Sequence, residues 1–110
     1  MIQEVALLQV KKGLEHQFEK DFALACKYIS AIDGYLKHSL QRCIEQENKY
    51  LLLVTWRSLE DHTIGFRQSA AYQEWKALLH HYYDPFPVVE HFQPVLEQTG
   101  RADTAKTDNA

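Results

Sequence analysis

The chain has 110 residues, a formal net charge of −3 and a pI near 6.0, with 45% hydrophobic, 25% charged and 12% aromatic residues. These values fit one small folded domain with its own core and argue against global disorder. An acidic chain without a basic run points away from nucleic acid and anionic membrane surfaces, and no apolar run approaches the roughly 20 residues that span a bilayer.

Residues 2–10 (IQEVALLQV) are rich in Val, Ile and Leu and read as a strand. Acidic Glu4 comes early and no small-residue cleavage site follows an apolar core, so export is not indicated and the cytoplasm is expected. After the turn at Lys11-Lys12-Gly13, Leu14, Phe18, Phe22, Ala25, Cys26, Ile29 and Ile32 recur at steps of three and four, one face of an amphipathic helix. Asp33-Gly34 stops it. His16 falls on the watered side. The two cysteines, Cys26 and Cys43, are too few and too far apart for a disulfide framework or a metal clip and read as buried free thiols.

Residues 35–45 alternate on even positions (Leu36, His38, Leu40, Arg42, Ile44), the pattern of a half-buried strand. A turn at Gln46-Glu47-Asn48 leads to residues 49–57 (KYLLLVTWR), the strongest strand, so the two form a hairpin. Ser58 with an acid three positions on resembles a capping box and starts a short helix through Phe66. Ser69 caps a second helical segment, where Tyr72, Trp75, Leu79 and Tyr82 step by three and four until Asp84-Pro85. PVVEHFQPV then reads as an edge strand bracketed by Pro87 and Pro94. From Glu97 the composition turns polar, so residues 1–96 form the domain and 97–110 a flexible tail.

The order βαββαβ is the ferredoxin-like α+β pattern, a four-stranded antiparallel sheet in the order 4-1-3-2 with both helical segments on one face. The two central strands are apolar on both faces. Leu51 and Leu53 would stand in water on the side away from the helices, which implies a homodimer through that sheet face.

None of the six histidines belongs to a standard metal motif, and no metal site is expected. His62, one turn before Phe66, can point between helix and sheet. His91 shares the parity of Val89 and can face the interior. His38 reads as a buried histidine or a pocket base. Arg42 sits on the apolar parity of its strand, where it anchors an anionic or phenolate ligand or pairs with Glu90 or Glu45 at the surface. Aromatic residues crowd the second half, and Trp56, Phe66, Tyr72 and Trp75 can wall a small apolar pocket as well as fill a core. No nucleophile elbow, phosphate loop or dinucleotide fingerprint is present.

The stretch YLLLVTWRSLEDHTIGFRQSAAYQEWKALLHHYYDPFPVVEHF resembles the second half of the antibiotic biosynthesis monooxygenase family of dimeric α+β barrels. The likeness lies in an apolar strand ending at Trp56, the Ser-Leu-Glu-Asp helix start, Phe66, Ser69, the aromatic at 72, Trp75 and the closing Glu90-His91-Phe92. VALLQVKKG and Asp33-Gly34-Tyr35 extend it over about residues 1–96. It implies cofactor-free oxygen chemistry on a small electron-rich aromatic or quinol-like molecule. On that reading His62, His91 and Arg42 are the catalytic candidates, with Trp56, Phe66, Tyr72 and Trp75 as walls. A non-catalytic binder of a small apolar ligand and a histidine-dependent isomerase are the alternatives. The family's heme-degrading branch uses an Asn, a Trp and a His where this chain has Ala6, Phe66 and Lys76, so no cofactor is expected.

Overall fold

The computed structural model describes residues 1–101; of the tail expected at 97–110, residues 102–110 lie outside the described residues. The elements are β1 (Ile2–Gln9), α1 (Glu15–Ser30), β2 (Tyr35–Arg42), β3 (Lys49–Trp56), a π-helical turn (Asp61–Phe66), α2 (Ala70–Leu79), a 3-10 turn (His80–Tyr82) and β4 (Val89–Phe92). All pairings are antiparallel and the strand order is β2-β3-β1-β4, the expected ferredoxin-like sheet. Among the described residues, no helix is long and apolar enough to cross a membrane.

Period-two alternation sorts the central strands between two faces. Ala6 and Leu8 of β1, Val10 just past its end, and Tyr50, Leu52, Val54 and Trp56 of β3 lie buried beneath the helices. α1 contributes Phe18, Phe22, Ala25 and Ile29 to that core, the face its spacing predicts. Each large side chain so buried contributes about 1.5–3 kcal/mol. The opposite face carries Val5, Leu7, Leu51 and Leu53, with Leu7 51% exposed.

Strand β2 departs from the simple alternation. A bulge sets Tyr35 opposite Trp56 and Lys37 opposite Thr55, so Leu36 is the extra residue and is exposed. Tyr35 takes the inward place expected of Leu36 and meets Trp56 edge-on. Parity recovers at His38, opposite Val54. Both cysteines are free thiols but only half-buried: Cys26 lies on α1 where it faces the edge strand β2, and Cys43 lies just past the end of β2.

Ser58 accepts from the Asp61 amide at 3.3 Å and donates to its carboxylate at 3.0 Å, so the expected cap exists. The helix it starts is wider than an α-helix: the Arg67 amide donates to the carbonyl of His62, five residues back, at 3.1 Å. Ser69 caps α2 by accepting from the Tyr72 amide at 3.1 Å. The helical path breaks at Leu79, earlier than Asp84, and tightens into the 3-10 turn.

Gly34 joins α1 to β2 with φ +90°, a conformation costly for any residue with a Cβ. Its carbonyl accepts from the Arg57 amide at 2.8 Å, and a side chain there would run into the Asp61 carboxylate. Arg57 bridges Asp33 at 3.2 Å and Asp61 at 3.0 Å. The end of α1, the end of β3 and the start of the π-helical turn are thereby tied at one point.

Candidate functional site

A cavity of about 390 Å³ lies between the sheet and the roof made by the π-helical turn, α2 and the 3-10 turn. Its floor is Ala6, Leu8 and Leu52, and Phe66, Tyr72 and Trp75 form aromatic walls. Those three rings line the space without filling it. Phe66 meets Tyr72 and Trp75 edge-on at 5.2 and 5.7 Å, which fixes their planes.

Polar groups enter at one end. Glu4 is on the inward face of β1, in the same parity as Ala6 and Leu8, and is only 6% exposed. Its Oε1 accepts from the Trp56 indole N–H at 2.9 Å and lies 3.3 Å from His62 Nε2. His62, 3% exposed, is pressed flat against the Trp56 ring at 5.3 Å and packs beside Phe66. The wide π-helical turn carries both His62 and Phe66 to this wall. His62 Nδ1 meets His91 Nε2 at 2.8 Å, and cross-strand pairing of Glu4 with His91 aligns the three groups.

Burial sets the electrostatics. It raises the Glu4 pKa above the ordinary carboxylate value, against the Trp56 hydrogen bond and the Arg67 charge, which lower it. Burial pushes His62 down to about 3, helped by Arg67 and His91, so its ring is neutral at neutral pH. His91 is lowered by burial and by Arg67. Arg67 also lines the cavity and supplies positive charge beside the carboxylate.

At the other end stand His80 and Tyr83. Burial lowers the His80 pKa and raises that of Tyr83. His80 is held edge-on to Tyr72 at 5.9 Å and to Phe86 at 4.9 Å. The cavity is thus an apolar slot with polar groups at both ends.

The expected residues separate into those the structure brings together and those it does not. His62, Phe66, Tyr72 and Trp75 line the cavity. His91 faces inward as its parity implies, but it backs His62 and does not itself line the space. Trp56 is likewise behind the wall: its ring is fully buried and supports Glu4 and His62. Arg42 is elsewhere. It lies on the edge strand at the end of the sheet remote from His62, pairing with Glu19 of α1 at 2.8 Å and not with Glu90 or Glu45. The physical reason is position along the strand: parity sends the side chain toward the helix side, but at the sheet edge α1 presents a carboxylate there.

Glu4, Arg67, His80 and Tyr83 were missed. For Glu4 a signal existed, because it shares the parity of Ala6 and Leu8 in β1. His38, the other inward candidate, is outside the cavity between α1 and β2, with the Tyr35 hydroxyl at 2.5 Å and the Cys26 thiol at 3.3 Å. A wider hollow of about 460 Å³ lies on the opposite sheet face near Gln3, Thr55 and Phe92, but no buried titratable side chain lines it. Among the described residues, no group of three or more His, Cys, Asp or Glu is arranged to hold a metal ion.

Comparison with known proteins gives a consistent picture. The family model for antibiotic biosynthesis monooxygenase matches residues 1–78. The uncharacterised protein YczJ of Bacillus subtilis is 59% identical over 95 residues, covering 86% of this chain and all of that one. The crystal structure of a candidate antibiotic biosynthesis monooxygenase from Bordetella bronchiseptica superposes with a TM-score of 0.82 at 38% identity, covering 86% of this chain and 97% of the other. SnoaB from Streptomyces nogalater, a cofactor-independent oxygenase, shares the fold with a TM-score of 0.64 at 21% identity, covering 89% of this chain and 94% of SnoaB.

Proposed function

The chain belongs to the antibiotic biosynthesis monooxygenase family, and from that premise we propose that it oxygenates a small electron-rich aromatic or quinol-like substrate without a cofactor. The observation that carries the reading is the aromatic-walled cavity of about 390 Å³ with a buried carboxylate and a neutral imidazole at one end. Its size suits a small aromatic molecule, and its apolar walls strengthen every charge interaction inside.

In this chemistry the substrate supplies the electrons. Its acidic O–H or C–H gives a proton to the protein, and the resulting anion passes an electron to O₂. The two radicals then combine. Where a methylene becomes a carbonyl, one oxygen atom stays on carbon and the other leaves as water, with four electrons moving from carbon to O₂. The protein's part is to take the proton, stabilise the anion and exclude water. Arg67 is the cation beside the developing charge, in the role sought earlier for Arg42.

The test is oxygen uptake by metal-stripped protein against a panel of quinols, catechols and polycyclic phenols. The expected result is saturable uptake that is lost in His62→Ala. Tight binding with no uptake by any of these compounds would replace the oxygenase by a ligand-binding role in the same cavity.

The proposed assembly is a homodimer through the open sheet face. Val5, Leu7, Leu51 and Leu53 make a contiguous apolar surface there, flanked by Phe92 at 52% exposure. Light scattering should give twice the 12.9 kDa chain mass, and Leu53→Glu should halve it. A wild-type mass equal to one chain would remove the dimer.

A further inference from the structure

We infer that the group that takes the substrate's proton is the Glu4 carboxylate, through Oε2, and that His62 holds this carboxylate in place without receiving the proton itself. The inference rests on the proposed aromatic chemistry and changes which atom performs it.

The argument begins with what is already occupied. His62 has two ring nitrogens. Nδ1 is bonded to His91 Nε2 at 2.8 Å, and Nε2 faces Glu4 Oε1 at 3.3 Å. One face of the ring lies on Trp56. Both ring nitrogens therefore lie against protein atoms and not against open space, although the ring's edge forms part of the wall. A base must reach the proton it removes, within about 2.6–3.2 Å between heavy atoms or through one water.

Glu4 is differently placed. Oε1 takes both the Trp56 indole N–H and the approach of His62. Among the described residues no donor reaches Oε2. Glu4 lines the cavity, and no buried side-chain oxygen or nitrogen among the described residues lacks a partner. Oε2 therefore opens onto the empty volume and is not sealed in the core. A carboxylate with one anchored oxygen and one open oxygen, in a dry aromatic slot, is the arrangement a general base requires. Burial raises its proton affinity while Arg67 and the indole N–H keep the charged form accessible.

The proton balance is simple. The substrate hydroxyl or acidic C–H loses H⁺ to Oε2, leaving the electron pair on the substrate and a neutral carboxyl at Glu4. That proton is available to return when the peroxide formed with O₂ releases water. No further reagent is needed beyond the O₂ of the proposed reaction. His62 and His91 stay neutral throughout and act as positioning residues.

The test uses 2-naphthol, a phenol that becomes strongly acidic on excitation and emits in separate neutral and anionic bands. Fluorescence anisotropy reports its binding, and the band ratio reports whether a proton acceptor touches its hydroxyl. Naphthol bound to the wild-type chain should emit from the anion. Glu4→Gln keeps an oxygen for the Trp56 N–H and should lower the anion-to-neutral ratio by at least about ten-fold with binding retained. His62→Gln should bind and keep the anion band, since the carboxylate remains. Neutral emission from the bound wild type, a persistent anion band in Glu4→Gln, or its loss in His62→Gln alone overturns the assignment. Anion emission without oxygen uptake on any panel substrate would uphold the Glu4 base and remove only the oxygenase reading. Failure of naphthol to bind would remove the aromatic slot and the base with it.

Discussion

Two histidine clusters lie on either side of one tryptophan. Trp56 stacks on His62 at 5.3 Å, interplanar angle 18°, and meets Tyr35 edge-on at 6.0 Å. Burial lowers the pKa of both His62 and His38. The His38 cluster is closed. One proton arrangement satisfies it: Tyr35 O–H donates to Nδ1, Nε2–H donates to Cys26 Sγ, and the thiol donates to the Phe22 carbonyl at 3.2 Å. Burial raises the pKa of Tyr35 and of Cys26, so all three groups are neutral at neutral pH, and no carboxylate joins them. The His62 cluster includes a carboxylate, a nearby guanidinium and one open oxygen beside empty volume. What separates a candidate site from a packed polar network here is the uncommitted atom, since histidine, burial and short contacts occur in both.

The sharpest way to separate the clusters is acid. His62 binds a proton near pH 3 in the fold and at its ordinary 6.5 when unfolded. The unfolded chain therefore takes up more protons between these values. The His62 contribution to stability is full above pH 6.5 and is lost as pH drops toward 3, a loss approaching roughly 5 kcal/mol in the limit. His62→Gln should flatten this acid limb far more than His38→Gln. Equal flattening by the two substitutions would erase the electrostatic difference.

Removing what they share comes next. Trp56→Ala opens a cavity between the clusters and should cost about 3–5 kcal/mol in urea unfolding. Trp56→Phe keeps most of the packing but strips the hydrogen bond from Glu4, with an expected cost of about 1–3 kcal/mol. A Phe variant as stable as wild type would mean that the indole N–H does not hold the carboxylate.

Smaller effects belong to the closed cluster and the surface. His38→Gln should lower stability by about 1 kcal/mol, the scale of one hydrogen bond, with oxygen uptake unchanged. A fall in uptake matching that of His62→Ala would extend the site across Trp56. Arg42→Ala, which removes an exposed ion pair with Glu19, should leave both the unfolding midpoint and uptake at wild-type values.

The fold was legible because its signals are redundant. Periodicity, the Ser58 and Ser69 caps, and two central strands apolar on both faces all point to one topology. The site was legible only in part. His62 and Phe66 are four apart on a short helical turn over the sheet, and spacing alone brings both to its inner side. Parity could send Arg42 inward but said nothing about which end of the sheet it reaches. Glu4 carried the same parity signal as Ala6, yet a carboxylate in a strand ordinarily signals solvent, and its partner Trp56 is 52 residues away in sequence. The bulge at Leu36 had no local mark, since it depends on how β2 meets β3.

Gly34 has a consequence for how this chain tolerates change. Its backbone fits only without a side chain, and the space a Cβ would occupy belongs to Asp61, the first residue of the turn that carries His62. In a library randomised at position 34 and sorted for folded protein alone, destabilised Ala or Asn variants would survive beside Gly. Sorted for ligand retention in the cavity, the same library should return Gly almost uniformly. The gap between those two distributions would measure how far the binding geometry depends on a junction that never touches the ligand.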